Sequence, residues 1–360
     1  MLWFTWLAAN TTMWMNDVSA AWLMTSLAPS PLWVALVQSA STLPVFFLGL
    51  PSGALADIMD RRRYFLTTQI WVATVATILC ACVLLGWMNA PLLLALTFLN
   101  GIGLAMRWPV FAAIIPEVVS RPHLPQALAL NGIAMNGSRI IGPLVAGSVI
   151  ASAGIAWVFL LNALLSLGAS FIIWRWRREH KESPLGRERL TSAMRVGLQF
   201  VRQSSRMRGL VVRISVFFVH STALMALLPL VARGLEGGDA GTFTVLLASM
   251  GAGAIVAALN MPRIRAALPL QRLVFVGTLL QGISILIVGY SPNVWVAVPG
   301  MMLSGVAWIS VANSLTVAAQ MALPDWVRAR GMSIYQMALM GSTAAGAALW
   351  GQVATWSSIR

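Results

Sequence analysis

The sequence predicts an all-α integral membrane protein built as two helical lobes. Three observations carry that expectation. Hydrophobic residues make up 59% of the 360 residues and charged residues only 9%, far below the roughly 25% charge of soluble domains. The apolar residues fall into eleven continuous runs, at about 2–27, 32–56, 64–87, 90–115, 125–152, 155–175, 209–232, 241–261, 270–289, 293–319 and 328–355. A bilayer-crossing helix takes about 20 such residues. Finally, Asn131, Gly137-Ser138, Gly142 and Gly147 match Tyr335, Gly341-Ser342, Gly346 and Gly351 at a constant offset of 204. That is the mark of a parallel repeat with a path between the halves.

The first run, 2–27, carries Trp14, Asn16, Asp17 and Trp22 within it, and its length argues against a cleavable signal peptide. The second ends in Gly53-Ala-Leu-Ala-Asp57-Ile-Met-Asp60-Arg61-Arg62-Arg63, which reads as a tight charged loop before the third. Cys80 and Cys82 lie inside run three; an i, i+2 pair on a helix points to different faces, so they form neither a disulfide nor a metal site. Run four holds Arg107. Run five holds Arg139 and spaces Gly132, Gly137, Gly142-Pro143 and Gly147 at five-residue intervals, so that close helix approach and an in-membrane bend both become available at Gly137, Gly142 and Pro143.

Arg175 to Arg208 is the longest polar stretch and holds half of the net charge of +14. Its second part alternates Leu190, Ala193, Met194, Leu198 and Val201 with polar residues at helical spacing, as an amphipathic helix on a lipid surface does. The chain therefore divides into an N-terminal lobe, 1–175, a basic linker, 176–208, and a C-terminal lobe, 209–360, which contains His220, Trp308 and Asn313. The second lobe has one run fewer than the first, so a twelfth helix is expected to be missing from a fragment or truncated product.

Basic residues fall almost entirely in alternate loops, which places those loops in the cytoplasm of a bacterial inner membrane protein and removes the case for a nucleic-acid partner. An enzyme is not expected: the three histidines are scattered, no His/acid metal cluster is visible, and no G-x-x-x-x-G-K-[ST] loop exists to use ATP. No cofactor is expected.

Ionisable residues inside membrane runs usually face a cavity or a partner. Asp17 and Arg139 lie at similar depth in one lobe and are expected to pair, either structurally or as a proton-coupling device; Arg107 is the alternative partner for Asp17, or an anion site. His220 is a second candidate proton carrier or a helix contact.

Taken together, Gly53-x-Leu55-Ala56-Asp57-x-x-x-Arg61-Arg62, Trp14-Met-Asn-Asp17-Val-Ser-Ala-Ala-Trp22, Arg139-Ile-Ile-Gly142-Pro143, Leu227-Leu-Pro229-Leu and Arg328-Ala-Arg330-Gly331-Met-Ser-Ile-Tyr335-Gln336 make the chain resemble the major facilitator superfamily. Within it, the strings are most similar to the enterobactin, siderophore and drug exporter branch. Ile58 and Asp60 depart from the superfamily's loop pattern, and Thr97 stands where its helix-four Arg is usual. The resemblance implies two six-helix lobes, here with the last helix absent, and proton-coupled efflux of an amphipathic small molecule by alternating access. It implies a gate in which Asp57 faces the N-terminus of the eleventh helix while Arg61 and Arg62 reach Glu117 or Asp325. It also implies a substrate cavity lined by Trp14, Asn16, Trp22, Trp308 and Asn313. The partners expected are a small-molecule substrate, protons and lipid, in a monomer. A non-transporting, sensor-like or inactive truncated protein is the alternative.

Overall fold

The computed structural model describes residues 2–28, 30–119, 123–176, 190–324 and 327–358. All regular structure among them is helical. The order is α1 (Leu2–Leu27), α2 (Pro31–Ile58), α3 (Arg61–Leu84), α4 (Ala90–Val118), α5 (Leu124–Ser152), α6 (Ile155–Arg175), α7 (Leu190–Gln203), α8 (Ser205–Gly234), α9 (Ala240–Ala267), α10 (Leu270–Gly289), α11 (Val294–Ala322) and α12 (Arg328–Trp356). Eight of these are long and apolar enough to cross a membrane among the described residues; α1, α5 and α12 are not among the eight. The short α7 has one apolar face and packs against α12, where Gly197 meets the Arg330 side chain.

Helix starts follow local chemistry. Asp60, Asn89, Ser204, Asp239 and Asn293 each cap a helix by accepting a backbone N–H three residues on. Asp60 therefore has a structural reason to stand where the superfamily pattern has Gly. The loop expected from Gly53 onward is shorter than expected: α2 continues to Ile58, so Gly53, Leu55 and Asp57 are helical and the connection to α3 is Met59 and Asp60.

In the N-terminal lobe α1 packs on α5 and α6, α2 on α4, and α3 on α4 and α6. In the C-terminal lobe α8 packs on α12, α9 on α11, and α10 on α11. The repeat explains these pairs. A Cβ on Gly142 would lie 2.5 Å from Trp14 Cβ on α1, and its equivalent Gly346 lies against the Val219 backbone on α8. Gly147 faces Thr244 on α9, and its equivalent Gly351 lies against Ala35 on α2. The first pair closes each lobe on itself and the second joins the two lobes. Gly137 has open space around it, so the series works by close approach at Gly142 and Gly147 rather than as one uniform hinge.

Nothing among the described residues lies on α10 as α6 lies on α3, and Phe275, Leu279, Ile283 and Leu286 form an exposed stripe there.

The helix ends carrying Arg61–Arg63, Arg175, Arg263, Arg265, Arg328 and Arg330 define a basic end of the molecule. The lobes join differently at the two ends. Away from the basic end, one apolar cluster includes Met15, Val18 and Ala146 of the first lobe with Leu224, Leu228, Phe243 and Met301 of the second. Toward the basic end the clusters separate. Trp6, Tyr64, Phe65, Phe111 and Ile114 form one within the first lobe, whereas Met207, Phe217, Leu315 and Tyr335 form another within the second. The α2–α12 seam runs between them: Ser39 donates to the Ala344 carbonyl at 2.7 Å, and Phe46 packs over Gly341.

Candidate functional site

The mid-depth of this bundle is polar. Asp17, on α1, accepts a hydrogen bond from Ser41 Oγ of α2 at 3.0 Å and feels the charge of Arg107 on α4. It borders a small cleft whose walls include Gln38 and Ser41 of one lobe and Met225 and Ala226 of the other. The expected Asp17–Arg139 pair is not formed: Arg107, the alternative partner, is the cation that acts on the carboxylate.

Arg107 is 2% exposed. Its guanidinium lies 5.8 Å from the Trp6 ring centre, and Trp6 stacks on Phe111 at 3.7 Å. With Thr12, Asn100 and Asn162 it lines a second small cleft inside the first lobe, with room for about one water. Around this cleft, within about one helical turn of its wall residues, buried polar atoms of Asn16, Gln69, Thr97, Asn100, Asn162 and Arg107 meet no hydrogen-bond partner among the described residues. Buried polar groups in folded proteins are almost always bonded, to protein or ordered water, so this chamber is suited to hold water beside Arg107. The sequence reading took Asn16 for the cavity and missed Gln69, Asn100 and Asn162. Their signal was a set of amides inside apolar runs on α3, α4 and α6, and one sequence does not show that they converge.

Arg139 lies between the lobes. Its guanidinium carbon is 5.2 Å from the Trp14 ring centre on α1 and 4.0 Å from that of Trp308 on α11. Phe218 packs edge-on against Trp308 at 5.7 Å. No carboxylate bonds Arg139 among the described residues, and its buried Nε has no partner.

Trp22 belongs to the far end of the lobe interface. It stacks on Phe243 of α9 at 5.8 Å, and Arg233 of α8 lies 4.8 Å from its ring centre. Arg233 Nη1 donates to the Thr25 carbonyl at 3.2 Å and Nη2 donates to Ser26 Oγ at 2.6 Å. This contact clamps the lobes together at the end where their apolar core is shared.

Asn313 is exposed on α11. His220 is exposed on α8; its Nδ1 meets the Val216 carbonyl at 2.8 Å and its ring packs on Trp350 of α12 at 5.8 Å. That is the helix-contact reading of His220, and it places the imidazole outside the Asp17 cleft.

The gate residues are only partly described. Asp325 and the side chains of Asp57 and Glu117 lie outside the described residues. Arg62 does not reach an acid among them: its Nε donates to the Ile173 carbonyl at 3.2 Å and its Nη2 to the Trp174 carbonyl. These are carbonyls of the last turn of α6, where a cation is favoured by the helix dipole. Pro143 sits inside a continuous α5. Cys80 is buried, Cys82 is half-buried, and both are free thiols. Among the described residues no group of His, Cys, Asp and Glu could hold a metal ion.

A family model described as transmembrane secretion effector matches residues 1–360. Among solved structures, the nucleoside transporter NupG resembles the chain with a TM-score of 0.80 at 12% identity, over 99% of this chain and 90% of that one. A peptide transporter of the POT type, in complex with alafosfalin, resembles it with a TM-score of 0.76 at 14% identity, over 99% and 90%. A bacterial homologue of the human lysosomal transporter Spinster, inward-facing and unoccupied, gives 0.68 at 15% identity, over 95% and 80%. At these identities the likenesses establish the fold. No curated protein sequence matches the chain.

Proposed function

Because the chain belongs to the transmembrane secretion effector family of major-facilitator-type membrane transporters, we propose that it is a proton-coupled exporter of an amphipathic small molecule, working by alternating access in a bacterial inner membrane. The observation that carries the proton coupling is the position of Asp17. It is a carboxyl group, held by Ser41, on a cleft whose other wall is Met225 and Ala226 of the opposite lobe. A proton gained or lost there changes charge at the joint about which the lobes move, while the polar chamber around Arg107 offers hydrated ground beside it.

The clamp at Arg233 and the shared apolar core close one end, and the basic end has separate cores. With the basic loops in the cytoplasm, the lobes would part more readily at the cytoplasmic end, from which an exporter takes up its cargo. Asp17 protonation weakens the hold of Ser41 and Arg107 on α1 and α2, and lobe movement follows. The cargo belongs to the amphipathic class that includes siderophores and hydrophobic drugs, because the mid-depth walls combine Trp14, Trp308, Asn16 and charged groups.

The test is proton release from purified protein in detergent on addition of siderophores and hydrophobic drugs, wild type against Asp17→Asn. Ligand-linked release that disappears in Asp17→Asn supports the reading. Equal release in both proteins removes Asp17 as carrier. A competing reading is a non-transporting protein; well-folded protein with no response to any ligand and no lobe movement would support it.

A further inference from the structure

We propose that Trp14, Arg139 and Trp308 form a binding site for an aromatic carboxylate at the joint between the lobes. The inference deepens the transporter reading, on which it rests only for the claim that the bound molecule is cargo.

The three residues stand at the midpoints of their helices, Leu2–Leu27, Leu124–Ser152 and Val294–Ala322. They come from three elements and two lobes, and they meet at one place. A guanidinium at mid-bilayer depth is costly unless it is compensated. Two indole faces give part of that compensation, at 5.2 and 4.0 Å. They cannot accept the N–H groups that radiate in the guanidinium plane, which are the groups that grip a carboxylate. Nε is buried without a partner, and the two Nη nitrogens are neither bonded nor sealed among the described residues. Asp17, the acid expected to neutralise Arg139, is engaged by Ser41 and by the field of Arg107. The anion that completes the site is therefore exogenous.

The geometry is held in advance. Gly142, one turn along α5 from Arg139, brings α5 into contact with the Trp14 Cβ and the Thr11 carbonyl. Trp308 is fixed from the other side by Phe218. An anion bonded to the guanidinium nitrogens thus lies beside both indole rings, and an aromatic body on that anion gains contact with them. The repeat does not supply a second copy of this site: the position equivalent to Arg139 is Thr343, whose hydroxyl donates to the Leu339 carbonyl of its own helix. The site is single and asymmetric, with its charge in the first lobe and one wall in the second.

The experiment is equilibrium dialysis of radiolabelled 2-naphthoate, and of neutral 2-naphthamide, against purified full-length protein, with empty detergent micelles as the blank. Wild type is expected to bind naphthoate saturably and naphthamide about tenfold or more weakly, since the amide lacks the charge that pairs with Arg139. Arg139→Gln should lose that preference, Arg139→Lys should keep part of it, and Trp308→Leu should weaken both compounds while keeping the preference. Thermal melting of each variant identifies any that fail to fold, and Trp308→Leu keeps the test open if Arg139→Gln is one of them. Equal binding of acid and amide to wild type, no saturable naphthoate binding, or a preference unchanged in folded Arg139→Gln overturns the proposal. Spin-label distances across the lobes on the same preparation separate this failure from failure of the transporter reading. Lobes that exchange between two arrangements without naphthoate binding sink the site and leave transport standing; lobes that hold one arrangement under every condition sink transport.

Discussion

Arg233→Gln should release the clamp at the end of the molecule remote from the basic loops. In the present arrangement Arg233 makes two hydrogen bonds to the last turn of α1, at 3.2 and 2.6 Å, and lies 4.8 Å from the Trp22 ring centre. Charged hydrogen bonds are worth about 1.5–3 kcal/mol when buried. Arg233 is exposed, so about 0.2–1 kcal/mol each is the appropriate scale for groups screened by solvent. An exposed cation–π contact adds about 0.5–1 kcal/mol. All three contacts cross between lobes, so their loss is expected to act on the equilibrium between lobe arrangements rather than on the fold of either lobe. That loss, about 1–3 kcal/mol, shifts the equilibrium by about 5- to 150-fold toward opening at this end. Pulsed electron-electron spin resonance can read the shift between labels replacing Trp87, near the start of α4, and Trp295, in the first turn of α11, both strongly exposed. Cys80 and Cys82 are first replaced so that only the new sites carry label. A second, longer distance that is rare in the parent should grow at least several-fold in Arg233→Gln, with the melting of the protein little changed. Identical distance distributions in the two proteins would refute the reasoning and leave Arg233 as a surface contact.

Four other outcomes follow from the same geometry. Gly142→Ala places a methyl group 2.5 Å from Trp14 Cβ, so it should lower stability by about 1–3 kcal/mol, read as a drop in melting temperature. Asp60→Ala removes the N-cap of α3 and should cost about 1 kcal/mol by the same assay. His220→Gln should leave ligand-linked proton release at the wild-type level, because the imidazole packs on Trp350 outside the Asp17 cleft; loss of release there would return His220 to the coupling pathway. Asn162→Leu fills the polar chamber beside Arg107 with an apolar side chain and should slow proton exchange with Asp17 without preventing ligand binding, measured as a lag in proton release behind binding in stopped flow.

Most of the fold was legible in the sequence because helix length and apolarity are local. The runs at 2–27, 155–175 and 270–289 coincide with α1, α6 and α10, and the offset of 204 predicted which glycines do equivalent work. Gly142 with Gly346, and Gly147 with Gly351, occupy equivalent positions in the contact pattern because close helix approach requires the missing Cβ in both lobes. Ends of elements were harder. Gly53-to-Asp57 looked like a loop because charge and glycine signal turns, but the capping carboxylate at Asp60 moves the break two turns later. The site was least legible where the answer is rotation about a helix axis. Sequence depth alone put Asp17 and Arg139 together, since both lie near the middle of their runs. Depth fixes height, not azimuth, so two side chains at similar height need not face the same neighbour. That separation is what leaves Arg139 with two aromatic walls and no acid among the described residues, while Asp17 borders the seam between the lobes with Arg107 behind it. A pair locked together at mid-depth would hold both charges inside one lobe and link neither to its partner lobe. Separated, each of them stands against a residue of the opposite lobe, Asp17 across the cleft from Met225 and Arg139 under Trp308, so a change of charge at either is felt by the joint itself.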